Sequence, residues 1–436
     1  MNILEIIDKK KNKQELTKEE IDFFVNEYTK EEGTIKDYQA SSLLMAILLN
    51  GLNKQETYYL TNAMQHSGEQ IKLNSNNDRL IIDKHSSGGI GDKVTLILTP
   101  IIAALGYDVA KMSGRGLSFT GGTIDKLESI NANSEFDLDC AQKLMNKYGM
   151  FIMSQTDKIV PADKKIYSLR DVSGTVESIP LIASSIMSKK LCINSDYLFL
   201  DIKVGSGAFF KTLKEANTFC EYALYVAKQA NKKTSIHLTN MDIPLGFNIG
   251  NKLEVIEAIN YLDNRLVNSY LDKLIVEMAA DILLDTNRVE NKKQAISIVR
   301  EVINSKKALN KLLDYLKAVD SDLDLLNYNS WFNPKFSYEI YAEQDGYLDF
   351  ENCKEIGLVS LYLGAGRKTK LDKIDFDAGI VLNKEYNQYV KSGDLIATLY
   401  SNSKISNEAI ELFKKDLKIT KKPNKNTKII YKKINN

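Results

Sequence analysis

The chain has 436 residues, 44% hydrophobic and 26% charged, enough to bury two or three separate cores. Lys and Arg number 58 against 57 Asp and Glu, so no global field recruits nucleic acid or an anionic membrane surface. No apolar run reaches the ~18 residues of a membrane span, and no signal-like apolar segment opens the chain, so a cytoplasmic protein without a membrane partner is expected.

The first 68 residues read as a small helical lobe. Thr17 with Glu20 forms a capping box ahead of Ile21, Phe24, Val25 and Tyr28 at helical spacing, Asn53 with Glu56 repeats the device, and Gly51 and Gly68 are expected helix stops. From about residue 78 short apolar strands, at 80–82, 108–112, 150–154, 197–204 and 234–238, alternate with helical patterns, which predicts a mostly parallel α/β sheet. A helical stretch from about 160 to 190 interrupts the alternation. After about residue 335, Pro and Gly return with period-2 segments such as 339–342 and 397–400, which predicts a C-terminal β-rich α+β domain over 335–436. Residues 414–433 hold nine lysines and one aspartate and read as a solvated terminal face, not a nucleic-acid tail. Cys140, Cys192, Cys220 and Cys353 lack Cys-x-x-Cys spacing, so they are expected to be reduced core thiols without a role in chemistry or metal binding.

Two glycine-rich stretches carry the chemical signal. Residues 83–92 read Asp-Lys-His-Ser-Ser-Gly-Gly-Ile-Gly-Asp, between a buried strand and the helical pattern of 93–105. A flexible turn with Lys84 and Ser86, followed by a helix N-terminus, would aim several amides at one point, a geometry suited to inorganic phosphate. Residues 113–128 read Ser-Gly-Arg-Gly-Leu-Ser-Phe-Thr-Gly-Gly-Thr-Ile-Asp-Lys-Leu-Glu. There Gly114, Gly116, Gly121 and Gly122 allow close backbone approach to a ligand, and Ser113 and Thr123 offer hydroxyls to anionic oxygens. Neither stretch has the order Gly-x-x-x-x-Gly-Lys-Ser/Thr or Gly-x-Gly-x-x-Gly, so a nucleoside triphosphate or dinucleotide is not the expected ligand.

The 113–128 stretch resembles the signature of the thymidine and pyrimidine-nucleoside phosphorylases, and the resemblance runs along almost the entire chain. Asp201-Ile202-Lys203-Val204-Gly205-Ser206-Gly207-Ala208-Phe209 resembles a further supporting loop of that family, with Val204 where threonine is usual, and Leu363-Gly364-Ala365-Gly366-Arg367 resembles its C-terminal domain. The resemblance implies a helical lobe of residues 1–68 continued by about 160–190. It also implies an α/β phosphate-binding lobe of 70–155 and 195–330, hinges near Gly68, Gln155 and Leu191, and a homodimer. The implied activity is phosphorolysis of thymidine, deoxyuridine or uridine to free base and (2-deoxy)ribose 1-phosphate, a pentosyl transfer through an oxocarbenium-like transition state.

By the same resemblance Lys84, Ser86, Thr95, Ser113 and Thr123 bind phosphate, one cation for charge and hydroxyls for direction, with Lys111 beside them. Arg170, Ser185 and Lys189 read the pyrimidine edge. The sequence supports this set, because Ser185 and Lys189 are i, i+4 on one helix face. Arg170 offers paired donors to O4 and N3 as charge develops there. His85 is the third catalytic candidate, a hydrogen-bond or proton donor to O2 in either protonation state, while His66 and His237 read as structural. Leu117, Tyr167, Ile182 and Phe209 are expected walls for the flat base.

Lys111 occupies a position where broad-specificity members carry Lys and strict thymidine enzymes carry Met, so acceptance of both uridine and thymidine is expected. A monovalent-cation site found in some members maps to Gly91, Lys93, Leu245, Asn248 and Glu257. Here Lys replaces the usual threonine, so the Lys93 ammonium is expected to take the ion's place and no cofactor is expected. The rival readings are a strict thymidine phosphorylase, a catalytically silent nucleoside-binding homologue, and a phosphoribosyltransferase of the anthranilate type, which would need acidic Mg²⁺ ligands at the cradle.

Overall fold

The computed structural model describes the chain except residues 76–77, 117–120, 368, 370–371 and 426–427. Four helices open it: α1 (Ile3–Lys11), α2 (Lys18–Thr29), α3 (Asp37–Asn50) and α4 (Lys54–Gln65). Both expected capping boxes form: Thr17 Oγ1 accepts from Glu20 N while the Glu20 carboxylate accepts from Thr17 N, and Asn53 and Glu56 repeat the exchange. Gly51 ends α3 at φ +75, as expected. Gly68 does not end α4, whose C-cap is His66. The glycine instead lets the chain pass Lys158, whose carbonyl oxygen would lie 2.2 Å from an added Cβ.

The chain then runs β1 (Ile81–Ser86), α5 (Val94–Ala104), β2 (Asp108–Ser113), α6 (Thr123–Glu128), α7 (Leu138–Tyr148) and β3 (Met150–Ser154). Two helices, α8 (Pro161–Ser173) and α9 (Ile179–Leu191), return to the opening bundle, α8 against α2 and α3 and α9 against α4. The α/β lobe resumes with β4 (Tyr197–Val204), α10 (Leu213–Gln229), β5 (Lys233–Asn240) and β6 (Asn248–Ile249), and four further helices follow: α11 (Asn251–Leu262), α12 (Ser269–Asp285), α13 (Lys292–Asn304) and α14 (Lys307–Ala318). The C-terminal region adds β7 (Phe336–Tyr341), β8 (Gly346–Phe350), α15 (Cys353–Leu363), β9 (Gly379–Leu382), β10 (Tyr389–Val390) and β11 (Leu395–Ser401), then α16 (Asn407–Asp416), β12 (Leu417–Thr420) and β13 (Ile430–Asn435).

The main sheet has the order β13-β5-β4-β1-β2-β3, with β1 to β5 parallel. Its strands β4, β5 and β2 are buried along nearly their whole length, as expected of a sheet covered on both faces. Helix α5 is buried at ten of its eleven positions and forms the centre of the larger core. The order reverses between β1 and β4, and the crevice beyond the carboxyl ends of the strands at such a switch point is where open α/β sheets bind ligands.

Two local expectations are corrected. The strand at 80–82 does not give way to a turn at Lys84. Parallel pairing with β4 extends β1 through Ser86, so Lys84, His85 and Ser86 are strand residues and the turn starts after them. The lysine-rich end is not wholly a solvated face, because β13 pairs antiparallel with β5 and Lys433 bridges to Asp285 at 2.6 Å and Asp281 at 3.3 Å. The last strand of the region expected to form the third domain thus joins the main sheet, while β6 of the α/β lobe pairs with β9.

Candidate active site

A cavity of about 610 Å³ opens at the carboxyl ends of β1, β2 and β3, with α8 and α9 forming its opposite wall. Both glycine-rich stretches line it, through Ser86 to Gly88 and Ser113 to Gly116, as do Thr95, Lys111 and Thr123. Ser86 Oγ donates to the Asp92 carboxylate and accepts from Gly88 N at 3.2 Å. Ser113 Oγ, at the end of β2, is buried without a hydrogen-bond partner among the described residues, so its hydroxyl is uncommitted. At Gly122 an added Cβ would stand 2.1 Å from Gly116 N, which shows how closely the two limbs of the signature turn approach.

The cradle is strongly basic beneath its surface. Alternation along β1 sends Lys84 and Ser86 to one side and Asp83 and His85 to the other. Lys84 Nζ lies 3.7 Å from Asp201 Oδ2 with no hydrogen-bond partner, while Lys203 Nζ lies 2.8 Å from the same oxygen. Lys84 is not among the described residues that line the cavity. It sits one layer behind them, where burial pulls its pKa down against the opposing pull of Asp201 and Asp92. Burial would raise the Asp92 carboxyl, but Lys203 and Lys84 outweigh it and hold Asp92 below its ordinary range.

On the other side, Lys111 and Lys190 both donate to Met112 O, at 2.7 and 3.4 Å, and Lys190 also reaches Asp83 at 3.2 Å. Burial, then the nearby Lys190, pulls Lys111 well below the usual lysine range. His85 faces this group, and burial followed by Lys190, Lys111 and Lys189 pushes its pKa well below 6.5, so the imidazole is neutral at ordinary pH. The sequence left both protonation states open. Burial and the neighbouring lysines favour the neutral one.

The opposite wall carries the groups expected at the pyrimidine edge. Lys189 Nζ donates to Ser185 Oγ at 3.1 Å and to Asp163 Oδ2 at 2.6 Å, so the expected i, i+4 pair acquires a carboxylate that sequence reading missed. Asp163, Tyr167 and Arg170 share one face of α8 at i, i+4 and i+7, a spacing that could have revealed it. Arg170 is buried and donates through Nε to Thr175 O, Nη1 to Leu181 O and Nη2 to Val176 O at 2.7–3.3 Å. One N–H on each of Nη1 and Nη2 is left over, a pair of uncommitted donors. Burial lowers the Arg170 pKa, and the guanidinium lies 5.7 Å from the Tyr167 ring centroid. Tyr167, Ile182 and Ile186 provide apolar surface, and Phe209 projects at the mouth, 46% exposed and edge-on to Phe210. Leu117 lies outside the described residues.

Behind the cradle, Lys93 is fully buried and donates to Leu245 O at 2.7 Å, Asn248 O at 2.8 Å and Glu257 Oε2 at 2.6 Å. The ammonium therefore contacts three of the groups that would ligate a monovalent cation. An added Cβ at Gly246, whose φ is +84, would fall 2.6 Å from Lys93 Nζ, so the backbone packs directly on the pair. This residue set does not fit a resident cation in addition to the ammonium.

Residues 4–68 match the glycosyl transferase family helical bundle domain, residues 78–309 its a/b domain, and residues 347–420 the pyrimidine nucleoside phosphorylase C-terminal domain. The chain is 44% identical over 421 residues to the thymidine phosphorylase of Mycoplasmoides pirum, covering 96% of this chain and all of that one. It is 43% identical over 422 residues to the pyrimidine-nucleoside phosphorylase of Staphylococcus epidermidis, covering 96% of each. Among solved structures, anthranilate phosphoribosyltransferase from Thermus thermophilus has a similar fold, with a TM-score of 0.58 at 15% identity over 72% of this chain and 98% of that one. With relatives this similar along nearly the whole length, the chain belongs to the thymidine and pyrimidine-nucleoside phosphorylase family.

Proposed function

We propose that this protein catalyses phosphorolysis of pyrimidine nucleosides, thymidine and deoxyuridine together with uridine, to free base and (2-deoxy)ribose 1-phosphate. The observation that carries the reading is one cavity with two chemically different walls: hydroxyls and amides over buried lysines on one side, and Arg170, Ser185 and Lys189 beside apolar surface on the other. A phosphate oxygen attacks C1′ as the N1–C1′ bond breaks, and the bond's electron pair leaves with the pyrimidine, inverting C1′; the pyrimidine anion then takes a proton from solvent to give the free base. Ser86, Thr95, Ser113 and Thr123 direct the phosphate, with Lys84 and Lys111 supplying charge from behind and beside them. The remaining Arg170 donors and Lys189 stabilise negative charge growing on the base, an interaction stronger in the transition state than in the ground state. Neutral His85 acts as a hydrogen-bond donor to O2 and does not deliver a full proton. The Lys93 ammonium, bound to Leu245 O, Asn248 O and Glu257, takes the part expected of a monovalent cation, so turnover is expected without added potassium.

The functional unit is a homodimer. Tyr38, Met45 and Leu49 form an exposed apolar stripe along α3, Tyr38 and Leu49 being 72% and 74% exposed, a surface suited to a second copy of the bundle. Four free thiols suit the cytoplasm. A strict thymidine phosphorylase is the second reading, favoured by the name of the M. pirum relative, while Lys111 in the cavity favours the broad one. Base release from thymidine and from uridine, each with and without phosphate, separates them: release from both supports the broad enzyme, and release from thymidine alone supports the strict one.

A further inference from the structure

The glycine signature is held at both limbs by adjacent residues of α6. Asp125 Oδ2 accepts from Gly116 N at 2.6 Å, and Lys126 Nζ donates to Gly121 O at 2.9 Å. Both anchors are buried, and each needs a counter-charge. For Lys126 it is Glu254 of α11, at 3.2 Å. For Asp125 it comes from another part of the fold: Arg367 Nη1 donates to Asp125 Oδ1 at 3.0 Å, across 242 positions of sequence. Arg115 is a poor substitute, because it lies 3.4 Å from Asp125 and is already bound through both terminal nitrogens to the Glu128 carboxylate at 2.5 and 2.9 Å.

The loop that presents Arg367 is itself fixed against the α/β lobe. Gly364 ends α15 at φ +109 and turns the chain, and Ala365 O accepts from Asn251 Nδ2 at 2.9 Å at the first position of α11. The C-terminal region thus touches α6, which carries both anchors, through Arg367, and α11, which carries the counter-charge Glu254, through Ala365. Ser113 and Thr123, cradle hydroxyls among the described residues, stand just outside the two anchored glycines.

We propose that Arg367 is a positioning residue for the oxyanion cradle: acting through Asp125, it makes the C-terminal domain part of the phosphate-binding machinery. The inference rests on the assignment of phosphate to this cradle. Without Arg367, Asp125 would keep only the 3.4 Å contact to Arg115, which Glu128 shares, and would turn toward Arg115 or water, releasing Gly116 and displacing Ser113 and Thr123 from their shared target. Displacements of about 1 Å cost up to ~100-fold in rate when they misplace binding groups.

The test compares the full-length protein with Arg367→Ala, Arg367→Lys, Asp125→Asn and the double variant Arg367→Ala/Asp125→Asn. Readouts are KM for inorganic phosphate, KM for nucleoside, and phosphate affinity by calorimetry. Arg367→Ala is expected to raise the phosphate KM roughly tenfold or more while leaving the nucleoside KM nearly unchanged, with Arg367→Lys intermediate. The double variant is expected to be no worse than the poorer single variant, because both remove one linkage. Lys384→Ala, which breaks the Lys384–Asp394 bridge elsewhere in the same domain, controls for general loosening and is expected to leave phosphate KM unchanged. An unchanged phosphate KM in folded Arg367→Ala, additive effects in the double variant, or equal losses for phosphate and nucleoside would each overturn the proposal. If Arg367→Ala fails to fold, Arg367→Lys and Arg367→Gln are judged by the same split. Absence of phosphate binding by the unsubstituted protein removes the assignment of the cradle itself, a result distinct from failure of the Arg367 linkage.

Discussion

Replacing Lys93 by threonine tests the electrostatics behind the cradle with a definite magnitude. The substitution removes an ammonium that contacts Leu245 O, Asn248 O and Glu257 Oε2 in a site with no water access. Losing one partner of a buried pair costs about 3–5 kcal/mol. Glu257 keeps two backbone donors, Phe247 N and Asn248 N, both at 2.7 Å, which favours the lower end, about 3 kcal/mol. The vacated space then offers two carbonyls and a carboxylate, an all-oxygen set suited to a hard monovalent cation. A cation at 100 times its Kd would return about 2.7 kcal/mol. The assay is thermal melting and phosphorolysis in potassium chloride against choline chloride at equal ionic strength. The unsubstituted protein is expected to behave identically in both, while Lys93→Thr melts lower in choline and recovers in potassium. A several-fold potassium activation of the unsubstituted protein, or a Lys93→Thr variant as stable as its parent in choline, would refute the reasoning.

Lys189→Ala and Arg170→Ala should each lower kcat/KM by several orders of magnitude, and Arg170→Lys should not rescue, because three backbone carbonyls and the base edge require the planar guanidinium fork. Cys192→Ala should keep its turnover, since the thiol makes only an Sγ contact of 3.0 Å to Lys189 O; equal small effects from all three would remove the base site. Phosphate binding should be accompanied by proton uptake that grows as pH rises, because burial lowers the pKa values of Lys84 and Lys111 and an arriving anion favours their charged forms. Calorimetry in two buffers of different ionisation heat reads this directly, and no proton exchange would contradict it. The His85 imidazole should remain neutral at pH 6, as burial and three neighbouring lysines hold its pKa well below 6.5; NMR resonances of a charged His85 at that pH would contradict the neutral form.

Local signals made most of the architecture legible. Capping boxes at Thr17 and Asn53 and apolar runs at the strands are near-neighbour patterns, and they fall where the structure has them. The signature's glycines and hydroxyls likewise mark the cavity without knowledge of the fold. Long-range pairing was not legible. β1 extends through Lys84 because β4 pairs with it there, which moves Lys84 from a turn to a buried layer behind the cradle. β13 joins the main sheet because its edge pairs with β5, something a lysine-rich composition hides. Asp163 escaped notice because its partner Lys189 is 26 positions away, although its spacing to Tyr167 and Arg170 was readable. The lowered pKa of His85 comes first from burial and then from Lys190, Lys111 and Lys189 arriving from two other elements, neither of which a local pattern encodes.

The central claim is that phosphate, and not water, accepts the pentose. ³¹P NMR of the purified protein with thymidine and inorganic phosphate follows that step directly. The account predicts a pentose 1-phosphate signal growing in proportion to free thymine as inorganic phosphate declines. Thymine release without loss of inorganic phosphate, or no release at all, would contradict it.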